Sequence, residues 1–280
     1  MKFPGKFSKL VAFLFAGILL TVAIPLLARD IQLPASRFVE VRQISGSVTY
    51  QGRAARVGDR LTRSGQQIST GRQSSAVLAV DSGIARINVA ELTTVQVQAL
   101  SINASGGRIT RLSVPRGQAR VQATRLNNPS SRLEISSPAG VTGVRGTVFG
   151  VGIGPNGKTG VATLEGAVAT TANGRTVTVN GGYSSIVFPG NAPTRPQLLK
   201  QNLNYELISL SAIDRNKVRL ICTLDPLNLA YLNGEALPID RTGKIDSVLP
   251  RPDNSDYWLV VRSPLGEQKR QEIGSNLLKY

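Results

Sequence analysis

Apolar and polar residues alternate with a period of two through most of residues 38–188, and short β-branched runs occupy the places where the alternation fails. Gly, Asn, Asp and Ser residues separate these segments, and no stretch there has the helical period. The pattern predicts an all-β domain in which consecutive strands pair. The predicted strands are residues 39–41, 47–50, 76–80, 84–89, 94–98, 109–114, 119–124, 148–153, 160–164 and 175–179.

Three glycine-led segments resemble one another within this region. They begin at Gly46, Gly117 and Gly166, and each opens a predicted strand. Such self-similarity favours a stack of hairpins in which each hairpin buries a face of the next. The spacing is irregular, so both a solenoid-like and a sandwich-like stack are compatible with it.

A second domain is predicted after a proline-rich segment. Three prolines between residues 189 and 196 disfavour regular structure, so residues 189–202 are predicted to be a linker. Strand patterns return over residues 203–280 and predict a small β-sandwich. The predicted strands there are residues 218–223, 229–232, 244–248, 257–262 and 267–273.

The first thirty residues have the pattern of an export signal. Lys2, Lys6 and Lys9 precede an uncharged apolar run over residues 10–28. The run predicts one N-terminal apolar helix, and residues 1–30 are predicted to be a signal peptide or a signal anchor. Because positive residues stay on the cytoplasmic side, the rest of the chain is predicted to lie in the periplasm or cell envelope. An uncleaved segment would anchor it in the cytoplasmic membrane.

Composition excludes several kinds of active site. The 280 residues include no histidine and a single cysteine, Cys222. A Ser-His-Asp triad, a Cys-His dyad, a Cys/His zinc site and an intramolecular disulfide are therefore excluded. We predict no enzymatic activity, no catalytic residue, no metal site and no cofactor.

The net charge of +16 is concentrated in the middle of the chain. Residues 38–190 contain sixteen basic and six acidic residues, whereas residues 191–280 contain twelve and ten. An excess of this kind suits an anionic glycan partner, although a dispersed, solvated surface explains it equally well. No nucleic-acid partner is expected. The densest set, and the candidate basic patch, is Arg53, Arg56, Arg60 and Arg63.

One segment matches the P-loop pattern without its structural context. Residues 152–159 contain two glycines at the P-loop spacing, followed by Lys158 and Thr159. A P-loop requires a helix to begin at the lysine, so that its amides face the phosphates. Residues 160–164 have a strand pattern instead, so the segment is predicted to be a hairpin turn that binds no nucleotide.

An ordered series of motifs resembles the FecR domain over residues 40–190, with the domain predicted at residues 38–188. The motifs are Thr70-Gly71, Asp81-Ser82-Gly83, Ser137-Pro138-Ala139-Gly140, Gly143-Val144-Arg145-Gly146-Thr147-Val148-Phe149 and Glu165-Gly166. The resemblance implies an all-β envelope module. Its best-known type is a single-span regulator that signals to a cytoplasmic sigma factor. Only residues 1–9 precede the apolar run here, so sigma-factor control is not expected.

Arg145, Gly146 and Thr147 are the candidate interaction or fold-signature residues, since they form the most specific part of the resemblance. We favour a fold-defining role, in which Gly146 permits a tight backbone path and Arg145 bonds neighbouring carbonyls.

The C-terminal part is similar to bacterial Ig-like modules of surface proteins. The similarity rests on segments such as Tyr231-Leu232-Asn233-Gly234-Glu235 and Val260-Val261-Arg262. Together these features predict an exported, non-enzymatic FecR-domain envelope protein that acts as an interaction or ligand-sensing module, with another envelope protein as partner. The alternative is binding of anionic cell-wall or surface polysaccharide through the basic FecR domain.

The export prediction is testable with reporters fused after Tyr280. Because the basic cluster precedes the apolar run, a periplasm-dependent reporter is expected to be active. Activity from a cytoplasm-dependent reporter alone would show that the chain is not exported.

Overall fold

The computed structural model describes residues 37–144, 146–251 and 256–273, and these residues belong to one compact unit by their contacts. The described residues form strands and no helix, which confirms the all-β prediction. The strands of the first module are β1 (Val39–Ser45), β2 (Val48–Tyr50), β3 (Arg53–Ala54), β4 (Arg60–Leu61), β5 (Gln67–Thr70), β6 (Ser75–Val80), β7 (Ala85–Val89), β8 (Thr94–Ile102), β9 (Arg108–Ala123), β10 (Arg132–Ser137), β11 (Gly140–Val144), β12 (Val148–Ile153), β13 (Thr159–Glu165), β14 (Ala167–Ala172), β15 (Arg175–Asn180), β16 (Tyr183–Val187) and β17 (Gln197–Leu198).

The first module consists of two sheets that share the long strand β9. Sheet A has the order β4-β1-β6-β7-β9-β12-β13-β16-β17, and sheet B has the order β3-β2-β5-β8-β9-β10-β11-β14-β15. Strand β9 belongs to sheet B through residues 108–116 and to sheet A through residues 117–123. It pairs in parallel with β10, whereas the other pairs in both sheets are antiparallel.

One apolar core lies between sheets A and B. Along β7, Ala85, Ile87 and Val89 are buried whereas the two residues between them are exposed, which is the period expected of a half-buried strand. Leu78 of sheet A and Leu112 of sheet B belong to the same buried cluster. The first module is therefore a β-sandwich.

The second module is a smaller sandwich of two sheets. Its strands are β18 (Tyr205–Ala212), β19 (Lys217–Leu224), β20 (Leu229–Leu232), β21 (Glu235–Leu237), β22 (Lys244–Pro250), β23 (Trp258–Arg262) and β24 (Gln268–Glu272). One sheet has the order β18-β19-β22 and the other β21-β20-β23-β24. Residues such as Leu220, Tyr257 and Leu259 form its separate core.

The second module packs on the outer face of sheet A, where small residues allow its backbone to approach. A Cβ atom on Gly150 would overlap the carbonyl oxygen of Pro264, and one on Gly160 would lie 2.5 Å from the carbonyl oxygen of Leu227. Such distances are shorter than side chains tolerate. Residues larger than glycine at these positions would therefore push the two modules apart.

Lys158 joins the two modules from a fully buried position. Its Nζ donates hydrogen bonds to the carbonyl oxygens of Pro226, at 2.7 Å, and Asn228. Burial lowers the pKa of Lys158 to about 7, although the nearby Asp225 carboxylate acts in the opposite direction. The amine therefore bonds two carbonyls of the second module and has no access to a nucleotide phosphate.

The structure agrees with some of the sequence-based predictions and differs from others. A strand, β13, follows Lys158 as predicted. Residues 109–114 and 119–124 were predicted as two strands, but they form the single strand β9 because the chain bends between sheets without losing its pairing. Within the predicted linker, Gln197 and Leu198 pair with β16 and so extend sheet A. The predicted apolar helix over residues 10–28 lies outside the described residues, which include no helix suited to cross a bilayer.

The packing of the modules predicts a large effect of one added methyl group. Gly150→Ala is expected to destabilise the protein by about 1–3 kcal/mol, the usual cost of overpacking. Gly143→Ala is the matched control, because its added Cβ would lie 3.9 Å from the nearest neighbour, the carbonyl oxygen of Ala169. Urea unfolding measures both variants, and equal stabilities would contradict the packing described here.

The lowered pKa of Lys158 predicts a pH-dependent stability. Between about pH 7 and 10.5, the unfolded chain holds a proton on this amine that the folded chain has lost. The free energy of unfolding therefore rises with pH in this window, by up to about 1.4 kcal/mol per pH unit, and the contribution is flat below pH 7. Comparing wild type with Lys158→Met at several pH values isolates this group. Parallel stability curves for the two proteins would refute the assignment.

Candidate interaction face

The outer face of sheet A is divided between a covered half and an open half. The covered half includes Gly150 and Gly160, which contact the second module. On the open half, Ala79, Arg86, Gln122 and Val148 form one row across β6, β7, β9 and β12, since each residue pairs in register with the next. We name this open half the interaction face.

A pocket of about 460 Å³ lies at one end of the interaction face. Val77, Ala79, Ala123 and Val148 supply apolar lining, and Arg42, Arg86 and Glu165 supply charges of both signs. Gly146 and Thr147 line the same pocket. The most specific motif of the sequence therefore borders a cavity.

The turn at Gly146 has a geometry that requires glycine. Its φ angle is 75°, and an added Cβ would lie 2.9 Å from the Cα atom of Arg125. The carbonyl oxygen of Thr147 accepts a hydrogen bond from the amide of Ala123 at 2.9 Å. The turn thus fixes the junction between β9 and β12. Arg145, the third candidate residue of this motif, lies outside the described residues.

The side-chain hydroxyl of Thr147 has no hydrogen-bond partner among the described residues, although the residue is buried. Unpaired buried hydroxyls destabilise folded proteins. Thr147 lines the pocket, and its hydroxyl oxygen is itself enclosed by the protein.

The candidate basic patch has two neutralised members. Arg53 forms an ion pair with Asp59 at 2.7 Å, and hydrogen bonding from Arg53 lowers the pKa of Asp59. Arg60 pairs with Glu40 at 2.9 Å. Arg56 and Arg63 form no ion pair with the described carboxylates. Anion binding by these four residues stays a prediction, with two charges available to attract a polyanion.

The described residues contain no group of three or more metal-ligating side chains. Cys222 is buried, and burial raises the pKa of its thiol to about 11. A thiol with this pKa is protonated at neutral pH and is a poor nucleophile. Cys222 therefore belongs to the core of the second module.

Sequence reasoning did not identify Arg86 or Gln122 as site residues. Alternation along 84–89 and 119–124 separated the two faces of each strand but did not show which outer face stays open. The sequence of β12 held the available signal, because it has no polar position and a strand covered on both faces loses its alternation.

Comparisons with known proteins identify the central part of the first module. A family model described as FecR protein matches residues 66–169, somewhat more than a third of the chain. No curated protein matches the sequence.

Solved structures with low similarity to this chain include the following two. One is the crystal structure of a candidate anti-sigma factor from Parabacteroides distasonis, with 14% identity and a TM-score of 0.40. The alignment covers 47% of this chain and 59% of that protein, so the chain spans less than two thirds of its length. A polysaccharide lyase aligns with 8% identity and a TM-score of 0.20, over 84% of this chain and 38% of that one. At these values neither likeness carries an argument about function.

The family match and the fold agree, since the matched segment runs from the start of β5 into β14 and includes the turn at Gly146. The resemblance inferred from the sequence is thereby confirmed: residues 66–169 of this chain are a FecR domain.

Proposed function

We propose that this protein is an exported, non-enzymatic cell-envelope protein whose FecR domain binds another envelope protein through the interaction face. The observation that carries the proposal is the pocket at the Gly146 turn, which opens onto a sheet face that the second module leaves uncovered. The export part rests on the pattern of residues 1–30.

The chemistry of the pocket favours a protein segment as occupant. Its apolar lining suits an aliphatic or aromatic side chain. Arg86 and Glu165 border the pocket with opposite charges, which a mixed peptide surface can complement and a uniformly anionic polymer cannot.

The second module fixes the position of this face within the protein. Buried Lys158 and the glycine contacts of β12 and β13 attach the module to sheet A. The interaction face therefore has a firm border formed by the second module. We propose that the second module, like the Ig-like modules it resembles, positions the FecR domain in the envelope.

Anionic polysaccharide binding at Arg53, Arg56, Arg60 and Arg63 has weaker support. Carboxylates already balance two of these four charges, and an exposed pair of arginines is strongly screened at physiological salt.

Photo-crosslinking in intact cells tests the proposed face. A photoreactive residue at Gln122, which is exposed on the interaction face, is expected to give one discrete adduct with an envelope protein. The control is the same residue at Thr178, exposed on sheet B, which should give no such adduct. Arg86→Glu should lower the Gln122 adduct severalfold, because it reverses a charge at the pocket border.

Equal adducts from both positions, or no adduct from Gln122, would exclude this face as the partner site. A Gln122 adduct insensitive to Arg86→Glu would exclude the pocket as its centre.

A further inference from the structure

A groove with different chemistry runs along the seam between the two modules. One pocket of about 460 Å³ and another of about 490 Å³ share the lining residues Gln73, Glu91 and Gln268. The two pockets therefore adjoin. We name them together the seam groove.

Two buried polar atoms in the seam groove lack a hydrogen-bond partner among the described residues. They are Oε1 of Gln118 and Nη1 of Arg262, and the two residues are 2% and 3% exposed. Both residues line the first pocket. Leaving such atoms unpaired destabilises the folded state, so their presence in one pocket points to a ligand that bonds both.

The surrounding contacts fix these two side chains in place. The side-chain Nε2 of Gln118 donates a hydrogen bond to the carbonyl oxygen of Pro264 at 3.0 Å. This bond holds the side-chain amide in its observed orientation. Nη2 of Arg262 donates to carboxylate oxygen Oε1 of Glu91 and, at 3.1 Å, to Gln268. The free Nη1 donor and the free Gln118 acceptor are therefore preorganised rather than mobile.

The charge of the seam groove is positive. Arg72, Arg120, Arg262 and Arg270 line it, against the single acidic residue Glu91. Burial alone would raise the pKa of Glu91, but hydrogen bonds from the Gln73 amide and from Arg262 lower it overall. Glu91 is therefore ionised and balances one arginine.

Two of the remaining arginines are free to bind an anion. Arg72 pairs with Glu235, whereas Arg120 and Arg270 form no ion pair with the described carboxylates. The planar guanidinium group binds carboxylates through paired hydrogen bonds. Arg120 lines the first pocket and Arg270 the second, so a carboxylate is the ligand group that fits this groove.

The second pocket supplies an aromatic wall. Trp258 lies under the guanidinium group of Arg270, 4.3 Å from the ring centroid, and Tyr231 lines the same pocket. Side-chain amides occur along the groove at Gln73, Gln268 and Asn233. Amides can both donate to and accept from hydroxyl groups, and an aromatic ring packs against apolar C–H surface.

These observations favour a ligand that is rich in hydroxyls, carries carboxylates and extends across two adjoining pockets. We propose that the seam groove binds a short carboxylated oligosaccharide of the uronic-acid type. Arg120 and Arg262 take the carboxylate, Gln118 accepts a hydroxyl hydrogen bond, and Trp258 borders a sugar ring.

Both modules contribute to this site. Gln118 and Arg120 belong to the first module, whereas Arg262 and Trp258 belong to the second. The proposal goes beyond binding at the interaction face, since neither Arg262 nor Trp258 lines the pocket at the Gly146 turn.

Calorimetric titration of the full-length chain in mild detergent tests the proposal. The probe is tetragalacturonate, with neutral chitotetraose and tetraglutamate as comparison ligands. Tetragalacturonate is expected to bind at about 0.15 M salt, and to bind at least tenfold more tightly than either comparison ligand, because the groove selects both carboxylates and hydroxyls.

Variants then locate the binding site. Arg120→Gln is expected to weaken tetragalacturonate binding at least tenfold, and Arg270→Gln severalfold. Arg175→Gln, which removes an exposed arginine of sheet B, should leave binding within twofold. Thermal melts of each variant confirm folding.

Absence of tetragalacturonate binding, or equal binding of tetraglutamate, would overturn the proposal. An equal loss in Arg175→Gln would overturn it as well, by showing that net charge alone attracts the ligand. The Gln122 crosslink does not involve the seam groove. The partner site at the interaction face and the oligosaccharide site in the seam groove can therefore be refuted independently.

Discussion

The buried amine of Lys158 is the contact on which the arrangement of the two modules depends. Its two acceptors are backbone carbonyls of the turn that precedes β20. Carbonyls enclosed at an interface need a donor, and removing that donor leaves them unsatisfied in a medium of low polarity. The modules can separate only if the amine and both carbonyls lose these hydrogen bonds together. Lys158 thus acts together with the glycine contacts of β12 and β13 to hold the two modules in one compact unit.

The residue composition of β12 and β13 follows from the same interface. One face of these strands covers the core of the first module, and the other lies under the second module at Gly150, Gly152 and Gly160. A larger side chain on the second face would hold the backbones apart, and the reach of Lys158 to Pro226 and Asn228 would then be too short. Small residues and the lysine are thus two requirements of one contact, and the resemblance of residues 152–159 to a P-loop is a by-product of them.

Local pattern predicted many of the strands but not how their faces are covered. Residues 229–232 were predicted with the observed bounds, and the Asn173-Gly174 turn has the two positive φ angles that its sequence implies. Strand β10 was missed, although buried Leu133 and Ile135 alternate with polar residues along it. The seam groove could not be predicted, since Gln118 and Arg262 lie on different modules and no local signal indicates that they meet.

The FecR segment is smaller than the unit that folds, and this difference bears on what the module can recognise. Val39, Val41 and Leu61 precede residue 66 yet belong to the core of the first module, and β1 pairs with β6 inside the matched segment. The matched segment also contains β12 and β13, on which the second module packs. The outer face of sheet A therefore carries both the second module and the candidate interaction face. Under the function proposed above, the second module would border a bound partner and so contribute to the specificity of the FecR domain.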